Sequence, residues 1–156
     1  MNLQTVLDDM VAPAQQILGI ARTPQSDLML LAIGLQESRF EHRRQIGGPA
    51  VGFWQFEKGG GVRGVLTHHT SVARAAKLCA AQGVGANEAA VYGALPLDDI
   101  LAAGFARLLL LTDPRPLPAL DDVDGAWAYY LRNWRPGKPH ARTWPALYLQ
   151  AREALS

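Results

Sequence analysis

The sequence is poor in several residue types, and each shortage excludes a class of protein. Its 156 residues include one cysteine, Cys79, which permits no intramolecular disulfide and is expected to be a small buried hydrophobe. No apolar run reaches the roughly eighteen residues that a transmembrane helix needs, so no stable membrane insertion is expected. Charged residues make up 19% and the net charge is +1, which excludes a globally cationic binder of nucleic acids or membranes.

Histidine and aspartate are also sparse where a metal or a second catalytic acid would need them. The four histidines, His68 and His69 among them, lack the spacing of a zinc site, so neither a metal nor a cofactor is expected. The glycines around Lys58 lack the order of a phosphate-binding loop, which favours a flexible rim over a groove. No aspartate occurs between Asp27 and Asp98.

What the chain does contain predicts one mainly α-helical domain over residues 1–156. Hydrophobic residues make up 49%, enough for a real core, and a monomer is expected. Residues 41–65 are glycine-rich and predict an irregular loop, with room for a small β-hairpin at 50–57. The helices are predicted at 4–19 with Pro13 as a kink or break, 26–40, 70–82, 88–94, 96–111, 121–134 and 141–153.

Three of these helices carry specific expectations about burial and capping. In the 70–82 helix, the inner face is expected to comprise Val72, Ala75, Ala76 and Cys79. Asn87 is expected to cap the 88–94 helix. The helix that ends at Leu111 is apolar nearly all round, so we expect it to be central and buried, with Pro96 as its first residue.

Glu37 is the most informative residue of the sequence. It lies near the end of the helix predicted from Ser26 or Asp27 as N-cap, on the same side as Met29, Leu30 and Ile33. Burial and the helix C-terminus both disfavour a carboxylate, so the pKa of Glu37 should be raised towards that of a general acid at neutral pH. The alternative is that Glu37 turns to solvent or pairs with a nearby arginine.

Two short motifs follow one another at this point. Glu37-Ser38-Arg39-Phe40 is followed by a basic loop, a glycine turn and Gly52-Phe53-Trp54-Gln55-Phe56. This arrangement resembles the lytic transglycosylases and goose-type lysozymes of the lysozyme-like superfamily. Tyr130 in the segment 126–137 is similar to the tyrosine of a third family motif, with Leu131 in place of the usual asparagine and Asn133 two positions later.

The resemblance implies a fold, an activity and a set of site residues. It implies a lysozyme-like helical domain that cleaves the glycosidic bonds of peptidoglycan, with Glu37 as the acid and base. Gln55 would bind the sugar, Tyr130 would orient Glu37 or the substrate, and Ser38 would help position the Glu37 loop. Asn133 is a further candidate for binding. Strand-like alternation at 53–56 would place Phe53 and Gln55 on the groove, with Trp54 and Phe56 on the core.

The supply of carboxylates bears on the type of reaction. Hydrolysis usually needs a second carboxylate, and only Glu41, Glu57 and Glu88 lie in the aspartate-free stretch, with Glu57 the one plausible partner. Lytic transglycosylases work with one glutamate, which the sequence fits better. A muramidase of the same fold, or an inactive lysozyme-fold protein that binds glycans or belongs to a virion, remains open.

A basic segment near the C-terminus has three readings. It could hold a polysaccharide, it could bind nucleic acid, or its tryptophans could cap the core while its cations are solvated. We do not expect nucleic acid as a partner. The segment consists of Arg132, Trp134, Arg135, Lys138, His140, Arg142 and Trp144.

The N-terminal residues bear on location. Residues 1–20 have no basic start, and Asp8, Asp9 and Pro13 interrupt the apolar run, so we expect no signal peptide. Together with the resemblance, this implies a phage or prophage protein made in the bacterial cytoplasm. It would reach the cell wall after holin-type release or as part of a virion, with virion proteins as further partners.

Overall fold

The chain folds as a mainly helical protein in a computed structural model that describes all residues from 1 to 156. The first helical stretch comprises α1 (Leu3–Val6), a π-helical turn (Leu7–Val11) and α2 (Ala12–Leu18), followed by α3 (Pro24–Ser38). A π-helical turn (Lys58–Val62) leads into α4 (Arg63–Thr67), and α5 (Val72–Ala81) and α6 (Glu88–Ala94) follow. The remaining helices are α7 (Asp99–Thr112), α8 (Val123–Trp134), a 3₁₀ turn (Ala141–Thr143) and α9 (Trp144–Glu153).

Two helices form the centre of the core. In α7, every residue from Leu101 to Leu110 is buried, which confirms the prediction of a central helix. In α3, every residue from Ser26 to Leu35 is buried as well, so this helix is enclosed on all sides and not only along one stripe. Helix α9 packs against α3, and α2 and α5 pack against α7.

The ends of α3 differ from the prediction at both termini. The N-cap is Thr23, and not Ser26 or Asp27, because Thr23 and Ser26 exchange side-chain and backbone hydrogen bonds in a capping box. The helix ends at Ser38, and not at Phe40, because Arg39 and Phe40 adopt left-handed conformations with φ of 57° and 55°. Glu37 is therefore the last residue but one of α3.

A glycine permits the tight turn after α3. A Cβ atom on Gly34 would lie 2.0 Å from Cζ of Phe40, so the Phe40 ring occupies the space that any other residue at position 34 would fill. Phe40 is buried and meets the rings of Phe53 and Trp54 edge to face. The chain is thereby turned from α3 towards the segment 51–56.

Of three other expectations about helices, two were wrong at least in part and one was confirmed. Val72 and Ala76 are exposed, and the inner face of α5 is formed by Ala75, Leu78 and Cys79. Pro96 lies outside α7. The Asp98 side chain accepts a hydrogen bond from the Leu101 N–H and caps the helix, so α7 begins at Asp99. Asn87 caps α6 as predicted.

Pro13 does not break the first helical stretch. It lies in the first turn of α2, directly after the π-helical turn. Because proline has no N–H, the regular hydrogen-bond ladder is interrupted there, and the wider π turn accommodates the interruption.

The predicted hairpin at 50–57 is reduced to a pair of residues. Val51 and Phe56 exchange both backbone hydrogen bonds at 2.9 Å, and Val51 also bridges to Arg44. The residues between them, 52–55, form a tight turn.

None of the helices combines the length and the apolar character that a membrane span requires.

Candidate functional site

Glu37 and Tyr130 meet at the C-terminal end of α3. The Tyr130 hydroxyl donates a 2.6 Å hydrogen bond to Oε1 of Glu37. Tyr130 is buried, whereas Glu37 is only partly buried. The alternative that Glu37 pairs with a nearby arginine does not occur, because no ion pair involves this carboxylate.

The surroundings of Glu37 shift its protonation. Burial raises the pKa of Glu37 from 4.5 to about 7, because water no longer solvates the charged form, while the Tyr130 hydrogen bond acts in the opposite direction. Burial and the neighbouring carboxylate likewise raise the pKa of Tyr130, so its hydroxyl stays protonated and serves as a donor. A carboxyl group with a pKa near 7 can both give and take a proton at neutral pH.

Tyr130 is held in place by other aromatic rings. The Trp144 ring stacks on it with centroids 5.4 Å apart and an interplanar angle of 8°. Trp127 and Trp134 pack on it at 5.3 and 6.2 Å. These contacts fix the direction of the hydroxyl group, so that Tyr130 meets Glu37 without rearrangement.

The turn at residues 52–55 is anchored through its carbonyl groups. Ser38 Oγ donates to the Phe53 carbonyl at 2.7 Å, and Trp134 Nε1 donates to the Trp54 carbonyl at 2.9 Å. The Gln55 side-chain amide donates to the Gly52 carbonyl at 2.8 Å. Ser38 also accepts from the Phe40 N–H at 3.1 Å, so its buried hydroxyl connects the end of α3 directly to the turn.

Gln55 occupies a backbone conformation that is uncommon for its type. Its φ is 53°, in the left-handed region, which is unfavourable for residues other than glycine. Its Nε2 is engaged by the Gly52 carbonyl, which leaves Oε1 without a protein partner. Gln55 is partly exposed and is the one residue of the turn that lines a surface cleft.

The expectation that Phe53 lines the groove was wrong. Phe53 is buried along with Trp54 and Phe56, because residues 52–55 form a turn and side chains do not alternate between two faces as they do in a strand. The Phe53 ring is covered by the Arg43 guanidinium group, whose carbon lies 4.4 Å from the ring centroid. Ser38 is also buried, so both residues support the site from beneath its surface.

The cleft beside Gln55 has a volume of about 460 Å³. It lies between the turn, the glycine-rich segment 59–64 and the C-terminal end of α8, and Asn133 lines it. The Asn133 amide nitrogen donates to Asp113 and to the Tyr129 carbonyl, so only its oxygen is free for a ligand. Glu37 itself does not line this cleft; the next residue, Ser38, and Trp134 both hold the turn that borders it.

Other carboxylates near Glu37 in the sequence do not join it in space. Glu57 is exposed and lines the cleft, and Glu41 is exposed with His42 3.9 Å from its carboxylate. Glu88 pairs with Arg63. None of the three donates to or accepts from Glu37, whose one side-chain hydrogen bond is the one from Tyr130.

Neither a histidine side chain nor the cysteine is bonded to Glu37 or Tyr130, although His68 lines the cleft. His68 and His69 stack on each other with centroids 4.5 Å apart, and His68 contacts Thr70. No cluster of three histidine, cysteine, aspartate or glutamate side chains is present that could hold a metal ion. Cys79 is buried, and burial raises the pKa of its thiol.

Sequence reasoning missed two residues that build the site. Trp134 holds the Trp54 carbonyl and Trp144 stacks on Tyr130, and the sequence had left open whether these indoles face a ligand or the core. Trp134 is partly buried and Trp144 is buried. The spacing of Tyr130 and Trp134, four residues apart on one helix, was the available signal that both reach towards the same neighbour.

No family model, curated protein or solved structure matches this chain.

Proposed function

We propose that the protein cleaves glycosidic bonds in peptidoglycan as a lytic transglycosylase, with Glu37 as the single acid and base. The observation that carries the proposal is the Glu37 carboxyl group, which has a pKa near 7 and is oriented by the buried Tyr130 hydroxyl. A raised pKa together with an orienting hydrogen bond suits general acid catalysis at neutral pH, and the fold does not evidently require either.

The reaction divides into two proton transfers through the same carboxyl group. Protonated Glu37 gives its proton to the oxygen of the glycosidic bond while the bond from that oxygen to the anomeric carbon breaks. The sugar that remains carries oxocarbenium character. Its own hydroxyl group then attacks the anomeric carbon and gives its proton to the Glu37 carboxylate, which forms an anhydro sugar and restores the acid.

The Tyr130 hydroxyl serves both halves of the reaction. It donates to the Glu37 carboxylate that forms after the first proton transfer, and this limits how far burial raises the pKa. Without it the carboxyl group would be a weaker acid, and the carboxylate would lose its one protein donor. Tyr130 is therefore a positioning residue in this proposal.

A transglycosylase is favoured over a muramidase by the surroundings of Glu37. An activated water molecule usually requires a second carboxylate across the scissile bond, and Glu57 is exposed and lines the cleft, which Glu37 does not. An intramolecular hydroxyl needs no such partner. The choice of peptidoglycan rests on the resemblance of Glu37–Phe40 and Gly52–Phe56 to the family motifs.

The choice of peptidoglycan also implies where the protein acts. A phage or prophage protein of this kind would reach the cell wall by holin-type release or within a virion.

In the cleft, the free side-chain oxygens of Gln55 and Asn133 would accept hydrogen bonds from hydroxyl and amide groups of the sugar.

Mass spectrometry of a peptidoglycan digest tests the proposal. Purified cell walls are incubated with the protein or with the Glu37→Gln variant, and the new ends of the glycan strands are identified. We expect anhydro-muramic ends from the protein and no new ends from the variant. Reducing ends would replace the transglycosylase with a muramidase, and equal products from the variant would remove Glu37 from the mechanism.

A second candidate function is glycan binding without cleavage. It is favoured by the observation that Glu37 does not line the 460 Å³ cleft, so a ligand could occupy the cleft without touching the carboxyl group. Its signature would be binding to cell walls with no new strand ends in the same digest.

A further inference from the structure

We infer that the cleft beside Gln55 binds a carboxylate carried by the glycan and so selects charged strands over neutral ones. The identification of the carboxylate bearer as a peptidoglycan strand rests on the proposed function. The preference for a negative charge rests on the cleft itself.

Cations dominate the charged groups that line the cleft. Arg63, Arg132 and Arg135 all line it, and Glu57 is its one carboxylate. Its apolar residues are Phe56, Leu109 and Trp134. A mostly polar cleft with an excess of positive charge is suited to an anionic group on a polar polymer.

Two of the three guanidinium groups are fixed by carboxylates that lie outside the cleft. Arg63 contacts Glu88 through Nε at 2.5 Å and Nη2 at 3.3 Å. Arg132 contacts Asp113 through Nε at 3.1 Å and Nη2 at 3.0 Å. Neither Glu88 nor Asp113 lines the cleft.

This arrangement leaves one edge of each guanidinium group available. The Nη1 atoms of Arg63 and Arg132 have no hydrogen-bond partner in the protein. Because the carboxylates already hold these side chains, less rotational freedom is lost when a ligand binds. Glu88 and Asp113 offset the charges of these two arginines, so the excess of cations is confined to the groups that line the cleft, where three guanidinium groups stand against the Glu57 carboxylate.

Arg135 is the one arginine of the three that no carboxylate pairs with. It follows α8 directly, with a left-handed φ of 49°. The one hydrogen bond of its side chain is from Nε to the Arg132 carbonyl at 3.5 Å. Arg135 is therefore the residue through which the charge preference can be tested without disturbing an ion pair.

The turn at residues 52–55 connects the cleft to the end of α3, which carries Glu37. Gln55 lines the cleft and belongs to the turn that Ser38 joins to α3, and Trp134 both lines the cleft and holds the same turn. A strand bound in the cleft would therefore contact the same turn that is joined to the end of α3. The lactyl carboxylates of strands whose stem peptides have been removed would supply the negative group.

Calorimetry on a matched pair of ligands tests the inference. The ligands are a tetrasaccharide of alternating N-acetylglucosamine and N-acetylmuramic acid, and the same compound with its carboxylates converted to methylamides. Binding is measured with the Glu37→Gln variant, which cannot consume them. We expect the charged ligand to bind at least about fivefold more tightly at low salt, an advantage that high salt reduces.

The Arg135→Gln change, in the same background, should weaken binding of the charged ligand about two- to fivefold, as expected for one exposed charge. It should leave the neutral ligand unaffected. Arg142→Gln is the matched control, because Arg142 is exposed in the same basic segment but does not line the cleft. Its affinities should be unchanged.

The outcomes separate this inference from the proposed function. Equal affinity for the two ligands, or an equal effect of Arg135→Gln on both, would overturn the anion site even if the protein cleaves cell walls. A preference for the charged ligand that depends on Arg135 would support it even if no cleavage occurs.

Discussion

The Tyr130 hydroxyl donates to Oε1 of Glu37 across 93 residues of sequence, with the two oxygen atoms 2.6 Å apart. The bond stabilises the carboxylate, while burial of Glu37 destabilises it, and burial has the larger effect. The hydrogen bond and burial therefore shift the pKa of Glu37 in opposite directions. A change at Tyr130 removes the hydrogen bond alone, and a change at Glu37 removes the buried acid itself, so the two changes give separate predictions.

Removal of the Tyr130 hydroxyl should raise the pKa of Glu37 above about 7. If the protonated acid starts the reaction, the rate of cell-wall cleavage falls as the pH rises through this pKa. In Tyr130→Phe this fall should occur at higher pH, with a lower maximal rate because the carboxyl group is less well oriented. A pH-rate profile measures both changes.

Tyr129→Phe is the matched control for that profile. The Tyr129 hydroxyl is buried and donates to the Leu110 carbonyl at 2.7 Å, away from Glu37. Loss of the Tyr129 hydroxyl should affect the stability of the protein, and the rate of cell-wall cleavage should still fall at the same pH as in the original protein. Equal shifts in the two variants, or no shift in Tyr130→Phe, would contradict the role of Tyr130.

The raised pKa of Glu37 should also make the stability of the protein depend on pH. Between pH 4.5 and about 7 the folded state keeps a proton that the unfolded state has released. Protonated Glu37 therefore contributes to the free energy of unfolding. This contribution has its full value below pH 4.5, declines as the pH rises to about 7, and is lost above pH 7. A shift of this size corresponds to about 3 kcal/mol as an upper value.

Glu37→Gln removes this contribution because the amide does not titrate. Urea unfolding at pH 4.5 and pH 8 should show that the variant gains stability relative to the original protein as the pH rises, by up to about 3 kcal/mol. A difference between the two proteins that is the same at both pH values would mean that Glu37 titrates normally.

Ser38→Ala should reduce both stability and activity. The change leaves the buried Phe40 N–H and Phe53 carbonyl without the Ser38 hydroxyl, which costs about 1–3 kcal/mol and frees the turn that carries Gln55. Ser71→Ala is the control, because the Ser71 hydroxyl is also buried and donates to the Val65 carbonyl at 2.7 Å. Thermal unfolding should show similar losses, with cleavage of cell walls impaired only in Ser38→Ala.

Gly34→Ala should destabilise the protein by about 1–3 kcal/mol, because its Cβ would overlap the Phe40 ring that turns the chain after α3. Gly93→Ala is the control: Gly93 is exposed in α6, and a Cβ there meets nothing within 4 Å. That change should be neutral or stabilise by up to about 1 kcal/mol. Denaturant midpoints compare the two, and a harmless Gly34→Ala would contradict the packing described for Phe40.

The sequence predicted the helices better than their ends or the turns between them. The apolar run of α7 and the cap at Asn87 are local features, and both occur as predicted. The end of α3 was misplaced because it depends on the Phe40 ring folding back onto Gly34, a contact that periodicity does not reveal. The assumed alternation at 53–56 failed because the glycine at 52, with φ of 76°, makes a turn there.

The candidate site was predictable only in part for a similar reason. The direction of the Glu37 pKa shift follows from its place at the end of a buried helix, and the resemblance implied that Tyr130 would orient either Glu37 or the substrate. The anchoring of the Phe53 and Trp54 carbonyls by Ser38 and Trp134 joins residues that are 15 and 80 positions apart. Such pairings arise from the packing of α3 and α8 against the turn, and no local pattern encodes them.

Clearing of purified cell-wall suspensions by matched glutamate variants tests the central claim most directly. Glu37→Gln should reduce the rate by about 10²–10⁴-fold, as loss of a general acid does. Glu41→Gln, which removes an exposed carboxylate that does not line the cleft, should clear the suspension at nearly the original rate. A Glu37→Gln protein that clears cell walls as fast as the original would contradict the account.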